Sequence, residues 1–121
     1  MNQFEVNFYR EKDGSKPVGV FIRSLPTKLR AKVVADLNLL EEYGFLAREP
    51  LSKHLEDGIF ELRTKEGNSI VRILYFFDRE KIIIATNGFV KKTQKTPKSE
   101  IILAKKCRTN YYLWKERQQN E

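Results

Sequence analysis

Three runs rich in branched and aromatic residues follow one another in this chain: Ile59 to Thr64, Ile70 to Phe77 and Lys81 to Val90. Only Glu66-Gly67-Asn68 and Asp78-Arg79-Glu80 separate them, and both read as turns. A parallel crossover needs a dozen or more residues, so links this short admit antiparallel hairpins alone. The chain therefore holds a three-stranded meander, and its other segments must cover it.

Those segments are legible from their periods. Phe4, Val6 and Phe8 alternate with Glu5, Asn7 and Tyr9, the pattern of an opening strand with one face on a core. Asp13-Gly14-Ser15 is a turn, and Ser15 is placed to cap a short helix with Pro17 in its first turn and Val18, Phe21, Ile22 and Leu25 inward. A second helix starts near Pro26, with Leu29, Val33, Leu37 and Leu40 on one stripe. Gly44 ends it as a left-handed cap. Phe45 to Lys53, punctuated by Pro50, reads as a loop. Thr96 is placed to cap a last helix with Pro97 at its first position, Glu100 in its first turn, and Ile101, Ala104, Arg108 and Tyr111 or Tyr112 on one stripe. The tail from Arg117 onward is expected to fray.

The order is strand, helical hairpin, three strands, helix. It predicts one α+β domain over residues 1–121: a small antiparallel sheet, made of the N-terminal strand plus the meander, with helices mostly on one side.

Charge narrows the partners. Lys and Arg number 23 against 16 Asp and Glu, a formal charge of +7. An anionic partner is expected, with nucleic acid ahead of an acidic protein or an anionic membrane surface. One cysteine, Cys107, excludes an internal disulfide, and with one histidine it cannot furnish the four clustered ligands of a structural zinc site. No apolar run approaches the ~20 residues of a membrane span. A soluble, cytoplasmic protein without a membrane association is the expectation.

The cations are not evenly spread. Phe89-Val90-Lys91-Lys92-Thr93-Gln94-Lys95-Thr96-Pro97 carries an apolar strand into a knot of ammonium groups. Glu61 and Arg63 share a sheet face by alternation, and Arg72 lies on the next strand, interrupting the otherwise apolar run Ile70 to Phe77. A twisted sheet can gather Arg63, Arg72 and one or both of Lys91 and Lys92 into a shallow positive cleft. Guanidinium grips two phosphate oxygens at once, and fixed cations stabilise the extra charge of a pentacoordinate phosphorane. Lysine can protonate a leaving oxygen when neighbouring cations lower its pKa. The competing reading is a plain cross-strand pair between Glu61 and an arginine.

The remaining candidates admit two readings each. His54, beside Lys53, is either a general acid or base or a surface residue. Lys65, Lys95, Lys98, Lys105 and Lys106 either track phosphates or form a solvated face. Tyr111, Tyr112 and Trp114 could stack on bases or pack on the sheet. Cys107 reads as a small buried residue. Replacing Arg72 by alanine is expected to abolish activity and spare the fold.

Three segments, in order, resemble the RelE superfamily of bacterial toxins, nearest its HigB and phage-derived branch of type II toxin–antitoxin modules. They are Leu55-Glu56-Asp57-Gly58-Ile59-Phe60-Glu61-Leu62-Arg63, then Val71-Arg72-Ile73-Leu74-Tyr75-Phe76, then Gly88 to Pro97 with Glu100 and Ala104-Lys105. The resemblance implies a RelE-like fold and a metal-independent mRNA endoribonuclease that needs no cofactor and cuts messages on the ribosome. In such an enzyme the RNA 2′-hydroxyl attacks the adjacent phosphate. Carried over by motif, Arg63 and Arg72 would hold the scissile phosphate, and Lys91 and Lys92 would stabilise charge or protonate the leaving oxygen. Tyr111 or Tyr112 would assist. The resemblance also implies a helix-turn-helix antitoxin, HigA-like, joined in a heterotetramer that binds operator DNA. Relatives of the same fold inhibit DNA gyrase instead. From another class, a non-catalytic basic domain that binds RNA or an acidic protein also fits the composition.

Overall fold

The computed structural model describes residues 3–91 and 95–120, Lys91 by its backbone alone. The meander is present as β3 (Ile59–Glu66), β4 (Ser69–Asp78) and β5 (Ile82–Lys91), paired antiparallel as the short links require. Before it come β1 (Glu5–Phe8), α1 (Pro17–Arg23), α2 (Thr27–Tyr43), a 3-10 turn at Gly44–Leu46 and β2 (Ser52–Glu56); α3 (Lys98–Gln119) follows it.

The sheet has five strands among the described residues, in the order β1-β5-β4-β3-β2. Two features depart from the sequence reading. First, Ser52–Glu56 is a strand, not part of a loop and its sequel, and it pairs antiparallel with β3 across the two-residue turn Asp57-Gly58. Both turn residues have positive φ, 49° and 75°, as the hairpin twist demands. Second, β1 pairs parallel with β5, so the sheet is mixed rather than wholly antiparallel. The two helices between β1 and the meander provide the length that a parallel return needs.

Layers form on both faces. Leu29, Val33, Leu37 and Leu40 of α2 and Val18 and Ile22 of α1 pack on Leu62, Ile73, Tyr75, Ile83 and Ala85. Ala104 and Cys107 of α3 pack on Ile59, Leu74, Phe76 and Ile84 across the sheet. Thus α1 and α2 lie on one side and α3 on the other. This explains why β4 is apolar on both sides of Arg72: the strand is buried on both faces and need not alternate. Each Val, Leu, Ile or Phe side chain among them, taken fully from water, contributes roughly 1.5–3 kcal/mol.

The elements begin and end for local reasons. Pro17 opens α1, with Lys16 rather than Ser15 at the cap; the Ser15 hydroxyl instead donates to Asp13 at 2.7 Å. Gly44 closes α2 at φ 52°, where a Cβ would collide with the Phe4 ring. Gly88 admits α1 to the sheet: a Cβ there would lie 2.5 Å from the Phe21 ring. Pro97, not Thr96, caps α3. The Thr96 side chain has another use.

Candidate functional site

Register brings the two arginines together. Arg63 of β3 stands directly opposite Arg72 of β4, with Glu61 two residues back on the same face. Two like charges so placed repel, and a carboxylate between them reverses the sign. Glu61 is wholly buried. Its Oε2 accepts from Arg63 Nε at 2.9 Å, and its Oε1 accepts from Arg72 Nη1 at 3.0 Å and from the Thr96 hydroxyl at 2.5 Å. Arg72 Nη1 also donates to Thr96 Oγ1 at 3.1 Å. The network joins β3, β4 and the segment entering α3.

The two guanidinium groups differ in access. The Arg72 side chain is 3% exposed and that of Arg63 is 26%. Arg63 reaches an open groove of about 730 Å³ whose lining includes Lys53, Lys65, Ile70 and Arg72, together with Asp36, Glu49 and Leu51. Glu49 is an exposed carboxylate 3.6 Å from Arg63 Nη1 and 3.9 Å from Lys53 Nζ. Asp36, from α2, accepts the Thr64 hydroxyl at 2.8 Å. Among the described residues, four cations and two carboxylates therefore meet along one wall. Lys65 is exposed there, and its carbonyl accepts from Lys32.

The other sequence-derived candidates fall in three places. The Lys91 backbone pairs with Ile70, beside the Arg72–Phe89 pair, at the same end of the sheet as the groove. Lys92 lies outside the described residues. Lys95 and Lys98 are exposed on either side of Thr96-Pro97. His54 is not with the arginines. It pairs across the strands with Phe60, whose side chain packs on the α2 side of the sheet, and its Nε2 accepts from the Gly58 amide at 3.2 Å. Side-chain alternation puts it on the opposite face from Arg63.

Tyr111 and Tyr112 are also remote. Their hydroxyls donate to Asp78 at 2.6 and 3.2 Å, with Lys115 Nζ 2.8 Å from the same carboxylate. Asp78 is six residues along β4 from Arg72, or about 20 Å. Burial, followed by the Asp78 hydrogen bond and charge, raises the Tyr111 phenol well above its ordinary value. That makes it a poor proton donor or acceptor near neutrality. Its position follows from α3 itself: the stripe Ile101, Ala104, Cys107 runs down the sheet and delivers Tyr111 to the far end of β4. Cys107 is buried, and burial pushes its thiol up to about 11.

Sequence reasoning missed Glu49 and Asp36. Glu49 precedes Pro50 in an aperiodic stretch and Asp36 is one of many polar residues on α2, so neither carries a local signal. Thr96 serves Glu61 rather than the helix cap that its place before Pro97 suggests, and only a long-range contact could have revealed this.

No curated protein matches the chain. A family model described as "Phage derived protein Gp49-like (DUF891)" matches residues 20–109, a span that contains Glu49, Glu61, Arg63, Arg72 and Thr96. With most of its length so matched, including every element that builds the groove, the chain belongs to the phage-derived Gp49-like protein family.

Proposed function

We propose that this protein is the toxin of a type II toxin–antitoxin module, acting as an mRNA endoribonuclease on the translating ribosome. The reading rests on membership of the Gp49-like family, a toxin-like family related to the RelE and HigB toxins, and on the ordered motifs that resemble them. The observation that carries it is the groove where Lys53, Arg63 and Lys65 meet above the buried Arg72. Fixed cations beside an open channel suit an RNA phosphate.

The reaction needs three services. The 2′-oxygen must lose its proton as it bonds to phosphorus; the phosphorane must be stabilised; the 5′-oxygen must gain a proton as its bond to phosphorus breaks. Products are a 2′,3′-cyclic phosphate and a free 5′-hydroxyl. Glu49 is the exposed carboxylate within reach of both Arg63 and Lys53, and we assign it the first proton. Arg63 and Lys65 stabilise the phosphorane, with the positive field of Arg72 behind them. Lys53 is the candidate donor to the leaving oxygen, and Lys91 and Lys92 remain candidates for the same service by the motif resemblance alone. A helix-turn-helix antitoxin that covers the groove, assembling with it on operator DNA, completes the module; its acidic surface would complement the +7 charge.

The test is end-mapping of cellular messages after brief induction, with Arg63→Ala and Glu49→Gln in parallel. New 5′-hydroxyl ends within open reading frames, lost in both variants, are expected. Growth arrest with intact messages and altered plasmid supercoiling would move the protein to gyrase inhibition. RNA binding without cut ends would leave a basic binding domain.

A further inference from the structure

We propose that Glu61 is the positioning residue of the groove, holding the Arg63 guanidinium by one edge so that the other edge faces an incoming phosphate. The inference rests on the reading that the groove receives an RNA phosphate.

Glu61 divides its two oxygens. Oε1 is directed to the sealed side, where it takes Arg72 Nη1 and the Thr96 hydroxyl. Oε2 is directed to the groove side, where it takes Arg63 Nε. A guanidinium has five donors in a rigid plane, and a bond through Nε leaves both Nη groups available on the far edge. One of them, Nη1, already lies 3.6 Å from the exposed Glu49 carboxylate, so that edge does face the groove. A free arginine would sample many rotamers and lose that freedom on binding; one held at Nε has lost it beforehand.

The arrangement also explains the burial of a second arginine. A buried carboxylate paired with Arg63 alone would keep much of its charge uncompensated, since Arg63 is partly in solvent. Arg72 compensates it from behind, and the Thr96 hydroxyl fills the remaining acceptor capacity of Oε1. Because Thr96 stands one residue before the α3 cap, the same carboxylate ties the entry of α3 to the arginine pair. Arg72 acts through Glu61 and does not touch the phosphate.

The test is a double-mutant cycle read by RNA binding, which requires no cleavage. The probe is a short 2′-O-methyl oligoribonucleotide, which lacks the nucleophile, followed by fluorescence anisotropy. Glu61→Gln should weaken binding about tenfold in the native background, because an amide can accept from only one guanidinium and turns a donor to the other. In an Arg63→Ala background the same change should have no further effect. Equal losses in both backgrounds, or unchanged affinity in the single variant, would overturn the proposal. Should Glu61→Gln not fold, the native protein still decides: its Arg63 Nε–H resonance should exchange with water far more slowly than a free guanidinium. Exchange at the free rate would overturn it too. If the native protein does not bind the oligomer at all, the groove reading itself fails, while the Nε–H exchange rate still tests the hold of Glu61 on Arg63 by itself.

Discussion

Arg63 and Arg72 face each other across two strands yet should respond differently to removal. Arg72→Ala leaves a fully buried carboxylate without its main counter-charge, a loss of about 3–5 kcal/mol. The sequence expectation that this variant would keep its fold is therefore revised: thermal denaturation should show a large fall in Tm, and lost activity would report on folding. Arg63→Ala removes a partly exposed partner while Arg72 still compensates Glu61, so its fall in Tm should be markedly smaller and its loss of RNA affinity larger than any loss of stability. Comparable falls in Tm for the two would contradict the geometry. Cys107 supplies a second residue-scale expectation. With its thiol pushed up to about 11 by burial, little thiolate exists near neutrality. Alkylation should be slow in the native protein and rapid in denaturant, read by mass spectrometry. Fast native labelling would place Cys107 on the surface.

At the scale of elements, the seating of α1 and of the C-terminal part of α3 can each be probed by one substitution. Gly88→Ala would set a Cβ 2.5 Å from the Phe21 ring and push α1 off β5. A cost of about 1–3 kcal/mol is expected in urea denaturation, typical of overpacking. The latch at the other end is Asp78, which holds Tyr111, Tyr112 and Lys115 of α3 to the end of β4. Burial alone would raise its pKa, but hydrogen bonds from Lys115, Tyr111 and the Arg79 amide, with the Lys115 charge, outweigh burial and lower it. A carboxylate held below its unfolded value contributes stability above about pH 4 and loses it as pH falls through the folded value. Asp78→Asn should therefore flatten the acid limb of the Tm–pH curve, and an unchanged limb would remove Asp78 from the account of acid sensitivity.

The whole molecule carries its charge surplus on a scaffold buried from both sides, and the groove holds only part of the surplus. The logarithm of RNA affinity should fall linearly with the logarithm of salt concentration, and each groove cation removed should lower that slope by about one. Removing Lys106, exposed on α3, should change the slope less than removing Lys53 if the strand follows the groove. Equal changes would favour diffuse binding over a defined channel.

The meander, the helical hairpin, α3 and the arginine pair on neighbouring strands were all legible in the sequence, because each follows from local period and short links. β2 was not. It is a short edge strand whose Lys53, His54 and Glu56 face solvent, so polarity masked its alternation, although Asp57-Gly58 held the hairpin signal. The chain by itself determined which residues alternate, where turns must fall, and that cations gather near β3, β4 and the segment after β5. Only the tertiary structure decided that β1 lies parallel beside β5, that His54 and the two tyrosines stand apart from the arginines, and that Arg72 is almost wholly buried in the groove wall while Arg63 is partly exposed. Period and turn chemistry act over a few residues, whereas strand order and burial depend on which distant surfaces exclude water together.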